Sequence, residues 1–141
     1  MQFLSALSPD MRPAWSQRMS ELLAASSQAN LICVEFPTYK DPKSGGPPYA
    51  LPPKVYFEHL SHPGEEIPYS DGEIKLDPLR RASENGLERV AHFQPERTHQ
   101  VGIDETGKVL DWVSVWRHRA KQGSFRGLGI LHLVWRDWYS T

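Results

Sequence analysis

A six-residue apolar run, LICVEF from Leu31 to Phe36, ends at Pro37 and opens into a stretch with five prolines between Thr38 and Pro53. Proline removes a backbone donor and fixes φ, so neither a helix nor a central strand passes through such a stretch. The run itself is apolar on both faces. That pattern predicts a strand covered on both sides, as in an α/β sheet, with Glu35 near its C-terminal end. The segment after it, which holds the adjacent Gly45 and Gly46, is then a stiff loop at the place where open α/β sheets put their ligands.

The flanking sequence supplies the other layer. Met11, Trp15, Met19, Leu22 and Leu23 recur at the spacing of one buried helical face, which predicts a helix from Ser8 to about Ala24 with Ser8 as N-cap and Pro9 in its first turn. Pro13 tightens or delays the true start. A short helix is expected from Pro53 to Leu60, and turn signals with little periodicity make Ser61 to Gly86 a long surface excursion. Glu88–Phe93 and Val109–Trp116 read as two strands in an antiparallel pair, with a tight turn at Gly107. Trp112 and Trp116 share one face of the second strand and read as core. The last 22 residues change texture, with three glycines between Gly123 and Gly129 and then LGILHLVW, a candidate strand, and the closely spaced Trp135 and Trp138.

Composition removes several functions. Sixteen basic and seventeen acidic side chains give a net charge of −1, which offers no global field for a nucleic-acid backbone or an anionic membrane. No apolar run approaches the roughly 20 residues of a membrane span. Cys33 is the single cysteine and has no intramolecular partner, and no leader pattern opens the chain, so a reducing, cytoplasmic setting is expected. Within an apolar strand Cys33 reads as a small buried hydrophobe. Six histidines raise a metal site, but His59 and His62 precede Pro63 without an HExxH pattern, and no metal is expected.

Five blocks carry a resemblance. FLSALSPDMRPAWSQRM, LICVEFP, YKDPKSGGPPYALP, RVAHFQPERTHQVGID and DWVSVWRH resemble, in order and spacing over residues 2–119, the C-terminal half of the thiopurine S-methyltransferase family, with the plant and fungal thiol and halide methyltransferases most similar. The resemblance implies a truncated Rossmann-like α/β fold. Residues 1–119 would hold strands five to seven with flanking helices, the first half of the sheet being missing, and residues 120–141 would be a tail foreign to the family. It also implies S-adenosylmethionine as cofactor. That family binds it on a glycine-rich strand-to-helix turn, and the first 44 residues contain no glycine from which to build one. Both ends depart from the family pattern, so a truncated product or imperfect gene model, with Met1 an internal methionine, is expected.

Methyl transfer from a sulfonium is an in-line displacement in which the protein aligns the acceptor and excludes water, so no catalytic side chain is assigned. By the resemblance the acceptor is a small thiol or anion, and an arginine beside it would hold the charge and favour thiolate over thiol. Arg97 in PERTH matches an arginine facing the acceptor pocket, and Arg12 matches a second one after the fourth strand. The alternative for both is a solvated surface arginine. Gly46, Pro47, Pro48 and Tyr49 match a loop over the acceptor, against the alternative of a rigid surface turn. Phe3 is a candidate for the floor between cofactor and acceptor, although a buried core phenylalanine is the plainer reading. Two functions are then expected to compete: thiol, halide or thiocyanate methylation, weak or absent in this chain by itself, and a non-catalytic remnant or interaction module. The second would pair through the open edge of the Leu31–Phe36 strand, with LGILHLVW or a second copy of the chain.

Overall fold

A computed structural model describes residues 3–121. The chain is a mixed α/β structure. Strand β1 (Leu31–Glu35) pairs antiparallel with β5 (Trp112–His118), which pairs antiparallel with β4 (Leu87–Phe93), giving the order β1-β5-β4. Helices α1 (Arg12–Leu22) and α2 (Pro53–Ser61) pack on each other, and α2 also packs on β4. A short antiparallel hairpin, β2 (Tyr69–Ser70) and β3 (Glu73–Ile74), forms inside the excursion between α2 and β4. The expected LGILHLVW strand, with Trp135 and Trp138, lies outside the described residues.

The two faces of the three-stranded sheet differ. Leu31, Cys33 and Glu35 stand opposite Trp116, Ser114 and Trp112, and residues directly opposite in antiparallel strands share a face. This face carries the core. Cys33, Trp116 and Leu87 join Leu4, Trp15, Leu51, Val55, Tyr56, Leu60, Ile67 and Ile74 in one buried cluster, with the Trp15 and Tyr56 rings edge to face at 6.0 Å. The other face shows two apolar rows, Ile32–Val115–Ala91 and Val34–Val113–Phe93. Ile32 is 56% exposed there, which corrects the expectation of a strand covered on both sides. LICVEF is apolar at every position but Glu35, and periodicity cannot tell a strand covered on both faces from one that leaves a face open among the described residues.

The first helix also starts later and turns differently. A 3₁₀ turn at Pro9–Met11 precedes α1, Pro13 falls in the first turn of the α-helix, and Ser8 makes no side-chain cap. Met11 and Leu22 are exposed, while Arg12, Pro13, Trp15, Ser16 and Ser20 are buried. A buried arginine replaces the expected all-apolar stripe. Phe3 is 53% exposed, so its reading as a core phenylalanine is also corrected. The remaining elements lie close to expectation: α2 runs one residue past Leu60, the last two strands are antiparallel, and Trp116 is fully buried while Trp112 is half-buried.

Candidate functional site

The pocket grows out of the proline-rich loop. Asp41 caps a 3₁₀ turn at Pro42–Ser44 by accepting from the Lys43 amide at 2.9 Å, and the Lys40 ammonium donates to the carbonyls of Gly45 and Pro48. Backbone bonds from Tyr49 to Ser5 (2.8 Å) and from Leu51 to Pro37 (2.9 Å) seat the loop against the N-terminal segment and the end of β1. Gly46 lies so close to the Tyr49 ring that a Cβ there would come within 2.5 Å of it. The glycine therefore sets where the tyrosine stands.

Tyr49 faces a pocket of about 120 Å³ lined by Pro9, Arg12, Pro42, Tyr49, Ala50, Tyr69 and Gly72. Three separate stretches meet there: the start of α1, the proline-rich loop and the β2–β3 hairpin. The hairpin reaches it because Asp71 and Gly72 take positive φ values of 52° and 78°, and Gly72 packs on Pro42 closely enough that a Cβ would lie 3.2 Å from it. The walls are largely apolar.

Arg12 is the charged group in this wall. It is only 3% exposed; Nη1 donates to the Tyr69 hydroxyl at 2.8 Å and Nη2 to the Ala50 carbonyl at 3.1 Å, while Nε is buried with no acceptor. Among the described residues no carboxylate pairs with it. A guanidinium taken from water without a counter-charge is costly, and an anion in the adjoining pocket would offset that cost. Behind Tyr69 stands His59, fully buried, its Nε2 2.8 Å from the same hydroxyl. Burial first, and then the nearby Arg12, Arg80 and His62, push its pKa from 6.5 down to about 3, so the ring is neutral. Burial raises the Tyr69 phenol, with Arg12 opposing.

The residues named from the resemblance do not all meet here. Arg12 and Tyr49 line the pocket; Pro47 and Pro48 lie exposed on the loop outside its lining, and Phe3 and Arg97 are likewise exposed and outside it. Sequence reasoning missed Tyr69, whose segment read as a surface excursion with turn signals and little periodicity, and raised His59 only as a metal candidate. It also missed two histidine–acid pairs. Glu35 and Asp111 are fully buried; Glu35 Oε2 is 3.0 Å from His92 Nε2, and Asp111 Oδ2 is 3.1 Å from His99 Nδ1 and accepts from the Thr98 hydroxyl. Their second oxygens, Glu35 Oε1 and Asp111 Oδ1, have no hydrogen-bond partner among the described residues. His92 stacks on Trp112 at 4.5 Å, and His99 meets Phe36 edge-on at 4.9 Å.

Other candidates are spent on structure. Cys33 is buried and its thiol is pushed up to about 12 by desolvation, so it packs as a small hydrophobe. His62 turns to the carbonyls of Glu58 and Arg81 rather than toward His59. Among the described residues no group of three metal-ligating side chains converges, and no helix is long and apolar enough to cross a membrane.

Comparison with known proteins bears on this pocket directly, because the matching region contains all of its lining residues, Arg12 included. The thiopurine S-methyltransferase family model matches residues 1–100. The chain belongs to the thiopurine S-methyltransferase family. A relative, probable thiol methyltransferase 2 of Arabidopsis thaliana, is 34% identical over 97 residues, which cover 68% of this chain and 39% of that protein. The chain thus spans about two-fifths of the relative that it matches. No solved structure matches the chain.

Proposed function

We propose that this chain is the acceptor-binding part of an S-adenosylmethionine-dependent methyltransferase that acts on thiols or on small anions such as halide and thiocyanate. In this reading residues 1–119 form the methyltransferase portion, residues 120–141 are a separate tail, and β1, β4 and β5 are strands five, six and seven of the family sheet. The observation that carries it is Arg12, a buried guanidinium without an acid partner among the described residues, in the wall of a small, mostly apolar pocket. Family membership supplies the reaction class.

Such a wall does three things for a thiol acceptor. The positive charge favours the thiolate, the nucleophilic form. The planar fork, already fixed by Tyr69 and Ala50, orients the bound anion rather than only attracting it. The apolar lining from Pro9, Pro42 and Tyr49 limits water around the sulfur. Arg97, Pro47, Pro48 and Phe3 would complete the acceptor side from outside this lining.

The cofactor is a different matter. S-adenosylmethionine would bring the electrophilic methyl group, but the described residues do not fit its cradle: β1 runs into Pro37 rather than into a helix N-terminus, and the first glycine, Gly45, ends a 3₁₀ turn in open space. No step through the cofactor is assigned to this chain, and little or no turnover is expected from it by itself. Titrating the folded chain with sodium thiocyanate in a calorimeter tests the acceptor pocket. Binding by the natural sequence, lost in Arg12→Gln, is expected; a folded chain that takes up no thiocyanate would sink the proposal.

A second reading is favoured by one observation. β1 stands at the sheet edge with no strand on its outer side among the described residues, and its own Ile32 is exposed. Such an edge invites pairing with a second copy of the chain, which would make this an interaction module. Sedimentation equilibrium separates the readings: a dimer that Ile32→Lys dissolves favours the module, and a monomer at all concentrations removes it.

A further inference from the structure

We infer that Tyr69, carried by the β2–β3 hairpin, is a specificity residue of this pocket: its hydroxyl hydrogen points into the pocket beside the Arg12 guanidinium and donates to the bound anion. The inference rests on the acceptor-pocket reading and adds to it a donor from a segment that lacks any motif.

The direction of that hydrogen follows from counting partners. Arg12 Nη1 has only hydrogens to give, so the Tyr69 oxygen accepts from it. His59 carries one ring hydrogen, because the site holds it neutral. If that hydrogen were on Nδ1, it would be a buried N–H without an acceptor, since Nδ1 has no partner. Orphaned buried N–H groups are rarer in folded proteins than under-satisfied buried acceptors. The hydrogen therefore sits on Nε2 and is given to Tyr69 across 2.8 Å.

The phenolic oxygen then accepts twice, from Arg12 and from His59, and has its own hydrogen left over. Neither neighbour can take it. The pocket that Tyr69 lines is the remaining direction, and an anion there would receive two converging donors, one charged and one neutral. Two donations into the oxygen also polarise its O–H bond, which strengthens the third. A neutral acceptor of the same size gains less from both, so the pair selects for charge.

Two measurements on the full chain test this. Long-range nitrogen–proton correlation spectra read the His59 tautomer, with Nε2 expected to carry the hydrogen; a hydrogen on Nδ1 would overturn the inference. Thiocyanate titration then compares the natural sequence with Tyr69→Phe. About tenfold weaker binding is expected, as for loss of one hydrogen bond to a charged group. Equal binding by the two proteins would overturn the role of Tyr69 while leaving the acceptor pocket standing, and no binding by either would remove both. Should Tyr69→Phe fail to fold, the Tyr69 hydroxyl proton in the natural chain decides: it moves downfield as thiocyanate is added if it donates to the anion, and stays in place if Tyr69 only holds Arg12.

Discussion

Arg12, Tyr69 and His59 form a chain of polar groups that runs from the pocket wall into the core, and each member constrains the next. His59 is the one whose burial has the clearest thermodynamic consequence. In the unfolded chain it takes a proton near pH 6.5, while in the folded chain it resists until about 3. Between those values the unfolded state binds more protons, so stability falls as pH drops through the window, by a few kcal/mol in total. Glutamine cannot titrate there. Chemical denaturation of His59→Gln at a series of pH values is expected to show a flatter loss between pH 6.5 and 3 than the natural sequence; parallel curves would mean that His59 is not the group responsible. Arg12 was named as a candidate from the resemblance, through its place in MRPAW. Its burial was not legible, because an arginine in the first turn of a helix is ordinarily solvated, and the partners that bury it lie 38 and 57 residues away.

At the scale of elements, local signals served well where the chain decides its own conformation. Pro37 ended β1, the two prolines at 52 and 53 started α2, and β4 and β5 paired antiparallel as their patterns suggested. They failed where a neighbour decides. The open sheet face with Ile32 and Phe93, and the hairpin folded onto the proline-rich loop, both depend on what is or is not packed alongside. The hairpin also ties the fold to the pocket, since its tip touches Pro42 while its first strand delivers Tyr69. Gly72 is in the left-handed region, where a side chain is strained, and a Cβ there would press on Pro42 at 3.2 Å. Gly72→Ala is therefore expected to cost about 1 kcal/mol or more in stability and to weaken thiocyanate binding as well. A variant with lower melting temperature and unchanged binding would show that hairpin and pocket are independent.

Across the whole molecule, the order of the five blocks pointed to the thiopurine S-methyltransferase family, and the family match over residues 1–100 agrees with it. The pocket itself could not be read in advance, because its wall is assembled from three stretches between Pro9 and Gly72 that only the tertiary fold brings together. In the proposed reading this chain supplies one side of an acceptor site, and no cofactor cradle lies among the described residues. Anomalous diffraction from crystals of the full chain soaked in sodium iodide tests that division most directly. An iodide peak in the pocket, within hydrogen-bonding reach of the Arg12 guanidinium and the Tyr69 hydroxyl, is the expected result. Well-ordered crystals with iodide only at surface lysines, and none beside Arg12, would contradict it.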